Sequence, residues 1–183
     1  MKSKATTFET YFIYFFLYAV IGWCYEVFLE VVVYQWGFSN RGFLWGPYLP
    51  VYGFGALLFI VFLYQIKKKR VYIGKCNITP VIIFLDAALI ATIVELFTSY
   101  ALELVTTEKL WDYTDYAFNF QGRIALNPSI RFGLGGVIFL YVLQPLFEKA
   151  VALLSPQKLH LIFIILGSIM LIDFSLKLIQ ILS

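Results

Sequence analysis

Long apolar runs separated by short polar segments are the main pattern along the chain. Each run holds about 18 to 25 mainly apolar residues, enough for a helix to cross a hydrocarbon core of roughly 30 Å. The pattern therefore predicts an all-α membrane protein, a bundle of about five transmembrane helices that forms one integral membrane domain over residues 1–183. The predicted spans are residues 11–33, 48–66, 79–105, 130–154 and 159–182.

Composition supports the same class. Hydrophobic residues make up 61% of the chain and charged residues 14%, whereas about a quarter of an average soluble domain is charged. The first run is too long for the apolar part of a signal peptide, so we expect it to remain as a helix. Cys24 lies in that run and Cys76 in a basic loop, which argues against a disulfide. No group of residues has zinc-ligand spacing, and we predict no metal and no cofactor.

Basic residues between the second and third runs set the expected orientation. Residues 67–70 and Lys75 fall on the same side of the membrane as Lys2 and Lys4. Loops rich in Lys and Arg stay in the cytoplasm. We therefore expect a multi-pass protein of the bacterial cytoplasmic membrane, with the N-terminus inside and the C-terminus outside. This placement also accounts for the net charge of +3, so no nucleic-acid partner is predicted.

Two segments on the predicted outer side, residues 35–47 and 106–128, are rich in aromatic residues, and the first is also rich in glycine. Residues 41–55 hold too much Gly and Pro for a uniform helix, and we expect a broken or re-entrant segment there. Irregular backbone at membrane depth is tolerated only where it is buried in protein or lines a wet cavity, and in transporters it often forms the substrate site. The alternative is a tight turn followed by a proline-kinked helix start.

Several carboxylates lie within the predicted spans, where an isolated charge costs a few kcal/mol or more. Glu26 and Glu30 are four residues apart and share one face of the first span. Glu95 and Glu103 are eight residues apart, which rotates them by only about 80° around the third span. Asp173 and Lys177 have opposite charges at a spacing of four, so mutual neutralisation is the simplest explanation for that pair.

Three arginines, Arg41, Arg123 and Arg131, are predicted at the same outer level as the carboxylates of the first and third spans. Carboxylates and guanidinium groups that converge there form either a structural network of ion pairs or a polar binding site. The sequence leaves both open.

With these residues identified, the sequence resembles the bacterial CmpB family of type IV ABC transporter permeases over most of the chain. The resemblance implies a transport function. The chain has no G-x-x-x-x-G-K-[ST] phosphate loop, so ATP hydrolysis would belong to another polypeptide. The matching elements are Gly22-Trp23 with Glu26; Asn40-Arg41-Gly42-Phe43-Leu44, Gly46-Pro47, Pro50, Tyr52-Gly53 and Gly55; Glu95, Tyr100 and Glu103; Trp111-Asp112-Tyr113; Asn119 and Gly122-Arg123; and Gly133 with Gly135-Gly136.

Our first hypothesis is a membrane permease or substrate-binding membrane subunit that handles a small polar or amphiphilic solute. Five helices are few for half of a complete ABC permease, so a homo-oligomer is one expected form. A separate ATPase subunit could dock at the basic cytoplasmic loop, although the same loop suits anionic headgroups of membrane lipid. The predicted substrate-binding residues are Glu26, Arg41, Trp45, Glu95, Glu103, Trp111, Asp112, Tyr113, Asn119 and Arg123.

Two other function classes remain open. An intramembrane enzyme that acts on an envelope lipid or lipid-linked intermediate would use a carboxylate as general acid or base, with Glu95, Glu103 or Asp112 as candidates. A structural or assembly protein would use the same polar groups only to hold its helices together, since interhelical polar contacts contribute about 0.6 to 2 kcal/mol each.

Overall fold

The computed structural model of the protein describes residues 4–182, so Lys2 lies outside the described part. The helix Lys4–Phe28 continues into a π-helical turn, Leu29–Val33, and a second π-helical turn, Phe139–Leu143, joins the helices Leu126–Ile138 and Gln144–Ala152. The helices are α1 Lys4–Phe28, α2 Pro50–Lys69, α3 Thr79–Thr106, α4 Leu126–Ile138, α5 Gln144–Ala152 and α6 Pro156–Leu182. Two antiparallel hairpins pair β1 Tyr72–Ile73 with β2 Cys76–Asn77, and β3 Asn119–Phe120 with β4 Ile124–Ala125.

Within residues 4–182, five helical segments are long and apolar enough to cross a membrane, which confirms the predicted fold class and a multi-pass membrane protein. Large apolar side chains remain exposed along them; in the third span Leu104 is 87% exposed and Phe97 71%. In a bilayer these side chains contact lipid. The orientation of the termini stays a prediction. The five spans, numbered in chain order, are Thr6–Val33, Pro50–Lys69, Thr79–Thr106, Leu126–Ala152 and Pro156–Leu182.

Prolines mark the start of four of these spans. Proline has no backbone N–H, and the N–H groups of the first helical turn have no partner within the helix, so proline is tolerated there. This explains why the fourth span begins at Leu126 rather than at the predicted residue 130: Pro128 lies within its first turn. The four prolines are Pro50, Pro80, Pro128 and Pro156.

The chain divides into two compact units, residues 1–54 with 149–183, and residues 55–148. The single membrane domain expected from the sequence stays a prediction. In the first unit, α1 packs against α6. Ala19 of α1, Leu44 and Tyr48 form a buried core, with Met170 of α6 packed against it. Residues 34–49, called the 34–49 segment below, contain no helix or strand. This confirms the predicted break for residues 41–49, whereas residues 50–55 are already helical because α2 begins at Pro50.

In the second unit, α3 and α4 pack closely because small residues line their contact. A Cβ atom added at Gly136 would lie 2.3 Å from the Cβ of Ala87, which is fully buried. A Cβ at Gly133 would lie 2.8 Å from the backbone oxygen of Phe84. Small residues let transmembrane helices approach each other to this distance, so that van der Waals contact holds the pair together.

The π-helical turn of the fourth span leaves one carbonyl without a backbone donor. The N–H of Gln144 bonds to the carbonyl of Phe139, five residues back. The next residue, Pro145, has no N–H to offer the carbonyl of Leu140. Instead, the Nζ of Lys67 at the end of α2 donates to that carbonyl at 2.6 Å. A side chain from another helix therefore completes the backbone hydrogen bonding of this span.

The contact between α3 and α4 predicts opposite effects for two neighbouring glycines. Replacement of Gly133 by alanine should lower the free energy of unfolding by about 1–3 kcal/mol, because the backbone of Phe84 cannot move aside as a side chain could. Gly135 is the matched control, since no atom lies within 4 Å of a Cβ placed there. Gly135→Ala should leave stability unchanged or raise it slightly. Thermal unfolding in one detergent measures both, and equal losses would contradict the close approach at Gly133.

Candidate functional site

A buried carboxylate, Glu30, is the centre of a polar cluster in the first unit. It lies in the π-helical turn that ends the first span and is 5% exposed. The hydroxyl of Ser39 donates to its Oε1 at 2.6 Å and the N–H of Ser39 to its Oε2 at 3.2 Å. Arg41 Nη2 lies 3.1 Å from Oε1. The 34–49 segment thus returns to the end of its own helix and neutralises the charge buried there.

Arg41 is the more accessible member of this ion pair. Its side chain is 33% exposed, against 7% for the side chain of Glu30. Its Nε is buried and has no hydrogen-bond partner among residues 4–182. A buried donor without a partner is uncommon in folded proteins and indicates a place for a water, an ion or a ligand group. The guanidinium is held on one side and retains hydrogen-bonding capacity on the other.

Several of the residues that resemble the CmpB family contact one another around this cluster. The indole N–H of Trp23 donates to the side-chain oxygen of Asn40 at 2.8 Å, and the amide of Asn40 donates to the carbonyl of Trp45 at 2.8 Å. The hydroxyl of Tyr52 donates to Glu26, and its ring occupies the space where a side chain at Gly22 would lie. Glu26 and Glu30, although four residues apart, therefore have different partners.

Asp173 of α6 closes the other end of the 34–49 segment. Its carboxylate accepts the N–H groups of Trp45 at 3.1 Å and Gly46 at 2.8 Å, and the hydroxyl of Tyr48 at 2.5 Å. Burial, together with the hydrogen bond to Asp173 and its charge, raises the pKa of Tyr48, so this phenol remains a donor. Among the described residues Asp173 and Lys177 form no direct ion pair, since the Nζ of Lys177 bonds to Gln180, although the charge of Lys177 acts on Asp173 at longer range. Backbone donors of the segment outcompete the neighbour on the helix.

Exposed aromatic side chains accompany the first cluster. Trp36 is 69% exposed, Phe38 66% and Trp45 51%. The Nζ of Lys177 lies 5.7 Å from the centre of the Trp45 ring. The 34–49 segment therefore carries both exposed apolar rings and a partly exposed guanidinium. Such a combination can contact both ends of an amphiphilic molecule.

A second polar cluster, in the second unit, joins α3 to the segment of residues 107–125. Glu95, Ser99 and Glu103 follow each other at intervals of four along α3 and are met by this segment. The hydroxyl of Tyr113 donates to Glu95 at 2.9 Å. Arg123 forms an ion pair with Glu103 and donates to Ser99 at 2.9 Å. The predicted common face of Glu95 and Glu103 is thus the face that holds the 107–125 segment.

Arg123 is 7% exposed and is contacted on several sides. Its guanidinium carbon lies 4.1 Å above the ring of Tyr100, a stacked arrangement that favours Arg over Lys. The indole N–H of Trp111 donates to the backbone carbonyl of Arg123 at 2.9 Å. The Nε of Arg123, like that of Arg41, has no hydrogen-bond partner within the described residues.

Asp112 and Asn119 shape the tip of the 107–125 segment. Asp112 accepts the hydroxyl and the N–H of Thr114, and these bonds lower the pKa of its carboxyl below the usual value. The side-chain amide of Asn119 donates to the carbonyl of Thr114 at 3.0 Å, and its oxygen accepts the N–H of Gly122 at 3.1 Å. Gly122 has a φ of +68°, and a Cβ there would lie 2.4 Å from Asp112. Glycine is required at this turn.

The ten predicted binding residues therefore fall into two groups. Three belong to the first unit, and the seven from Glu95 to Arg123 in chain order belong to the second. Within the second group, Arg123 pairs with Glu103 and Tyr113 with Glu95, while Trp111, Asp112 and Asn119 bond to groups of the 107–125 segment itself. The sequence list omitted Glu30, Ser39, Ser99 and Asp173, which hold Arg41, Arg123 and the backbone of the 34–49 segment. Among these, Glu30 had a visible signal, since it is a carboxylate one helical turn from Glu26.

The contacts of Asp173 generate a testable contrast with Lys177. Asp173→Ala removes the acceptor of three donors, so the free energy of unfolding should fall by about 2–4 kcal/mol. Lys177→Gln should change it by less than about 0.5 kcal/mol, as for most substitutions outside such networks. Denaturation of both variants in the same detergent tests this. A similar loss for both would instead favour mutual neutralisation of the two charges.

Comparison with known proteins assigns the chain to a family. No curated protein and no solved structure matches the chain significantly. The family described as putative ABC-transporter type IV matches residues 13–178. The match reaches into all five spans and covers both polar clusters, so it confirms the resemblance inferred from the motifs. This multi-pass membrane protein belongs to the family of putative ABC transporters of type IV.

Proposed function

We propose that the protein is a permease or a substrate-binding membrane subunit that takes up a small polar or amphiphilic solute at the 34–49 segment. Membership of an ABC-transporter family supports the transport part of this function. The irregular backbone between the first two spans supports the location, because transporters commonly bind substrate where helical structure is broken. With the predicted orientation, the segment faces the outer side of the membrane.

The observation that carries this function is the state of Arg41. Its guanidinium is fixed by the buried carboxylate of Glu30, and its side chain is one third exposed. A fixed guanidinium binds a carboxylate or phosphate group through two parallel hydrogen bonds, and less entropy is lost than with a mobile side chain. The solute favoured by this geometry therefore carries an anionic group.

Aromatic rings would contact the remainder of the solute. Trp45, Trp36 and Phe38 are all at least half exposed and belong to the same segment as Arg41. Glu26 supports the site through Tyr52, which packs against the same helix. An amphiphilic solute would thus place its charged group at Arg41 and its apolar part against these rings.

The second cluster has a supporting role in this mechanism. Its strongest charges neutralise each other, since Arg123 pairs with Glu103 and Glu95 accepts a hydrogen bond from Tyr113. Trp111 and Asn119 donate to backbone carbonyls rather than outward. These contacts hold the 107–125 segment against α3, and we assign to them the positioning of that segment rather than direct contact with solute.

Energy for transport would come from a separate ATPase subunit. The chain has no phosphate-binding loop, and its only Gly-Lys pair, Gly74-Lys75, lacks the upstream glycine. Five spans also favour assembly of more than one copy into a complete permease. The proposed unit is therefore a homo-oligomer associated with an ATPase on the cytoplasmic side.

Two arginine variants distinguish the solute site from the supporting cluster. The thermal unfolding of the wild type and of each variant would be measured in the presence of a panel of solutes. The panel holds anionic, zwitterionic and neutral solutes, including phosphate monoesters, amino acids and lysolipids. A solute present at 100 times its Kd should stabilise the wild type by about 2.7 kcal/mol. Arg41→Lys should lose most of this shift, because an ammonium cannot form the paired hydrogen bonds, while its stability without solute changes little.

Arg123→Lys is the matched control. It should lower stability without solute, since stacking on Tyr100 and the contact with Ser99 are weakened, and keep the shift caused by solute. A full solute response in Arg41→Lys would contradict the assignment of the site to Arg41.

The partner subunit is tested by gentle extraction followed by native mass spectrometry and transport assays in sealed vesicles. We expect an ATP-binding protein to copurify and solute movement to require ATP. Conversion of a lipid in detergent without ATP would contradict the permease and favour an intramembrane enzyme.

A further inference from the structure

A short basic segment joins the second and third spans. Residues 67–77, called the basic hairpin below, contain the cations Lys67, Lys68, Lys69, Arg70 and Lys75. The chain has no acidic residue between Glu30 and Asp86. Because the hairpin directly joins two membrane-crossing helices, it lies at the membrane surface whatever the orientation of the chain.

The basic hairpin has a defined structure. Strands β1 and β2 pair across a turn at Gly74 and Lys75. The N–H of Val71 donates to the hydroxyl of Thr79 at 2.7 Å, and the N–H of Ile78 donates to the carbonyl of Val71 at 3.0 Å. Thr79 is fully buried in the first turn of α3. These bonds fix the base of the hairpin to the third span.

Two of the five cations have partners within the second unit. The Nζ of Lys67 donates to the carbonyl of Leu140, and the Nζ of Lys68 lies 4.5 Å from the centre of the Tyr64 ring. Lys69, Arg70 and Lys75 are exposed. In the described part of the chain, no carboxylate lies within ion-pair distance of these three cations. Their charge is therefore available to a ligand.

The hairpin also exposes apolar side chains next to its cations. Tyr72 is 53% exposed and Ile73 is 69% exposed. Exposed tyrosine and isoleucine at the end of a membrane span can enter the headgroup region, while the charged ends of Lys and Arg reach the phosphate groups. The apolar side chains of Tyr72 and Ile73 match the headgroup layer of a phospholipid surface, and the neighbouring cations match its phosphate groups.

We infer that the basic hairpin is a binding site for anionic phospholipids of the leaflet in which it lies. Lys69, Arg70 and Lys75 bind the headgroup phosphates, and Tyr72 with Ile73 inserts between the lipids. An acidic soluble protein would be attracted by the charge alone but would leave Tyr72 and Ile73 exposed to water. These two apolar side chains therefore favour lipid over a docked subunit.

The test is native mass spectrometry of the purified protein titrated with phosphatidylglycerol or phosphatidylcholine in one detergent. A cation near an anionic lipid surface contributes about 1 kcal/mol, or about fivefold in affinity. The wild type should prefer phosphatidylglycerol. The double variant Lys69→Gln/Lys75→Gln should lose about 30-fold in affinity for it, with thermal unfolding unchanged because both residues are exposed and outside the ion pairs of the described residues.

The matched control is Lys149→Gln/Lys158→Gln, which removes the same charge at two exposed positions outside the hairpin. It should change the affinity for phosphatidylglycerol less than threefold. The variant Tyr72→Ser/Ile73→Ser should weaken binding while all cations remain.

Three results would overturn the inference. One is an equal loss of affinity in both lysine variants, which indicates nonspecific attraction. Another is displacement of the lipid by millimolar inorganic phosphate, which indicates a site for free anions. The third is a copurified soluble subunit that excludes the lipid and is lost in Lys69→Gln/Lys75→Gln, which indicates a protein partner.

Discussion

Backbone groups that leave helical geometry in a membrane protein must find donors or acceptors elsewhere, because lipid offers none. The fold depends on how this chain meets that constraint. Asp173 accepts two N–H groups of the 34–49 segment, and Asn40 donates to a carbonyl of the same segment. Asp173 of α6 and Asn40 of the segment itself satisfy backbone groups of the 34–49 segment, as Lys67 of α2 does for the carbonyl of Leu140. Two of the carboxylates, Glu30 and Asp173, thus accept backbone N–H groups of this irregular segment.

The two polar clusters contain similar residues but have different roles. In the second, the arginine is almost completely buried, stacked on a ring and paired, so its charge contributes to the attachment of one segment to one helix. In the first, the carboxylate is the buried member and the arginine is the accessible one. Burial of the anion with exposure of the cation leaves a net attraction for negatively charged groups at the surface. This asymmetry, rather than the presence of carboxylates and arginines, separates a candidate site from a structural pair.

Sequence patterns predicted the features that depend on local composition. Five spans could be placed to within a few residues because length and hydropathy are properties of consecutive positions. The Gly- and Pro-rich break could be placed for the same reason. Partners could not: the expected pair of Asp173 and Lys177 rests on helical spacing, whereas the actual donors are backbone N–H groups more than 120 residues away along the chain. The π-helical turns were also missed, since they leave no distinct residue pattern, although Pro145 marks the end of one.

The hydrogen bond from Lys67 to Leu140 bears on how membrane topology is deduced from charge. A lysine beside a membrane span is ordinarily counted as a signal that retains its loop in the cytoplasm. Lys67 is committed to a carbonyl of a neighbouring span, so one of the five cations in this loop has a structural reason to be basic that is independent of translocation. Relatives with a donor at this position and few other basic residues would keep the helix pair while losing the topogenic signal. The positive charge that directs insertion and the positive charge that completes a helix are separable, even when they are adjacent in sequence.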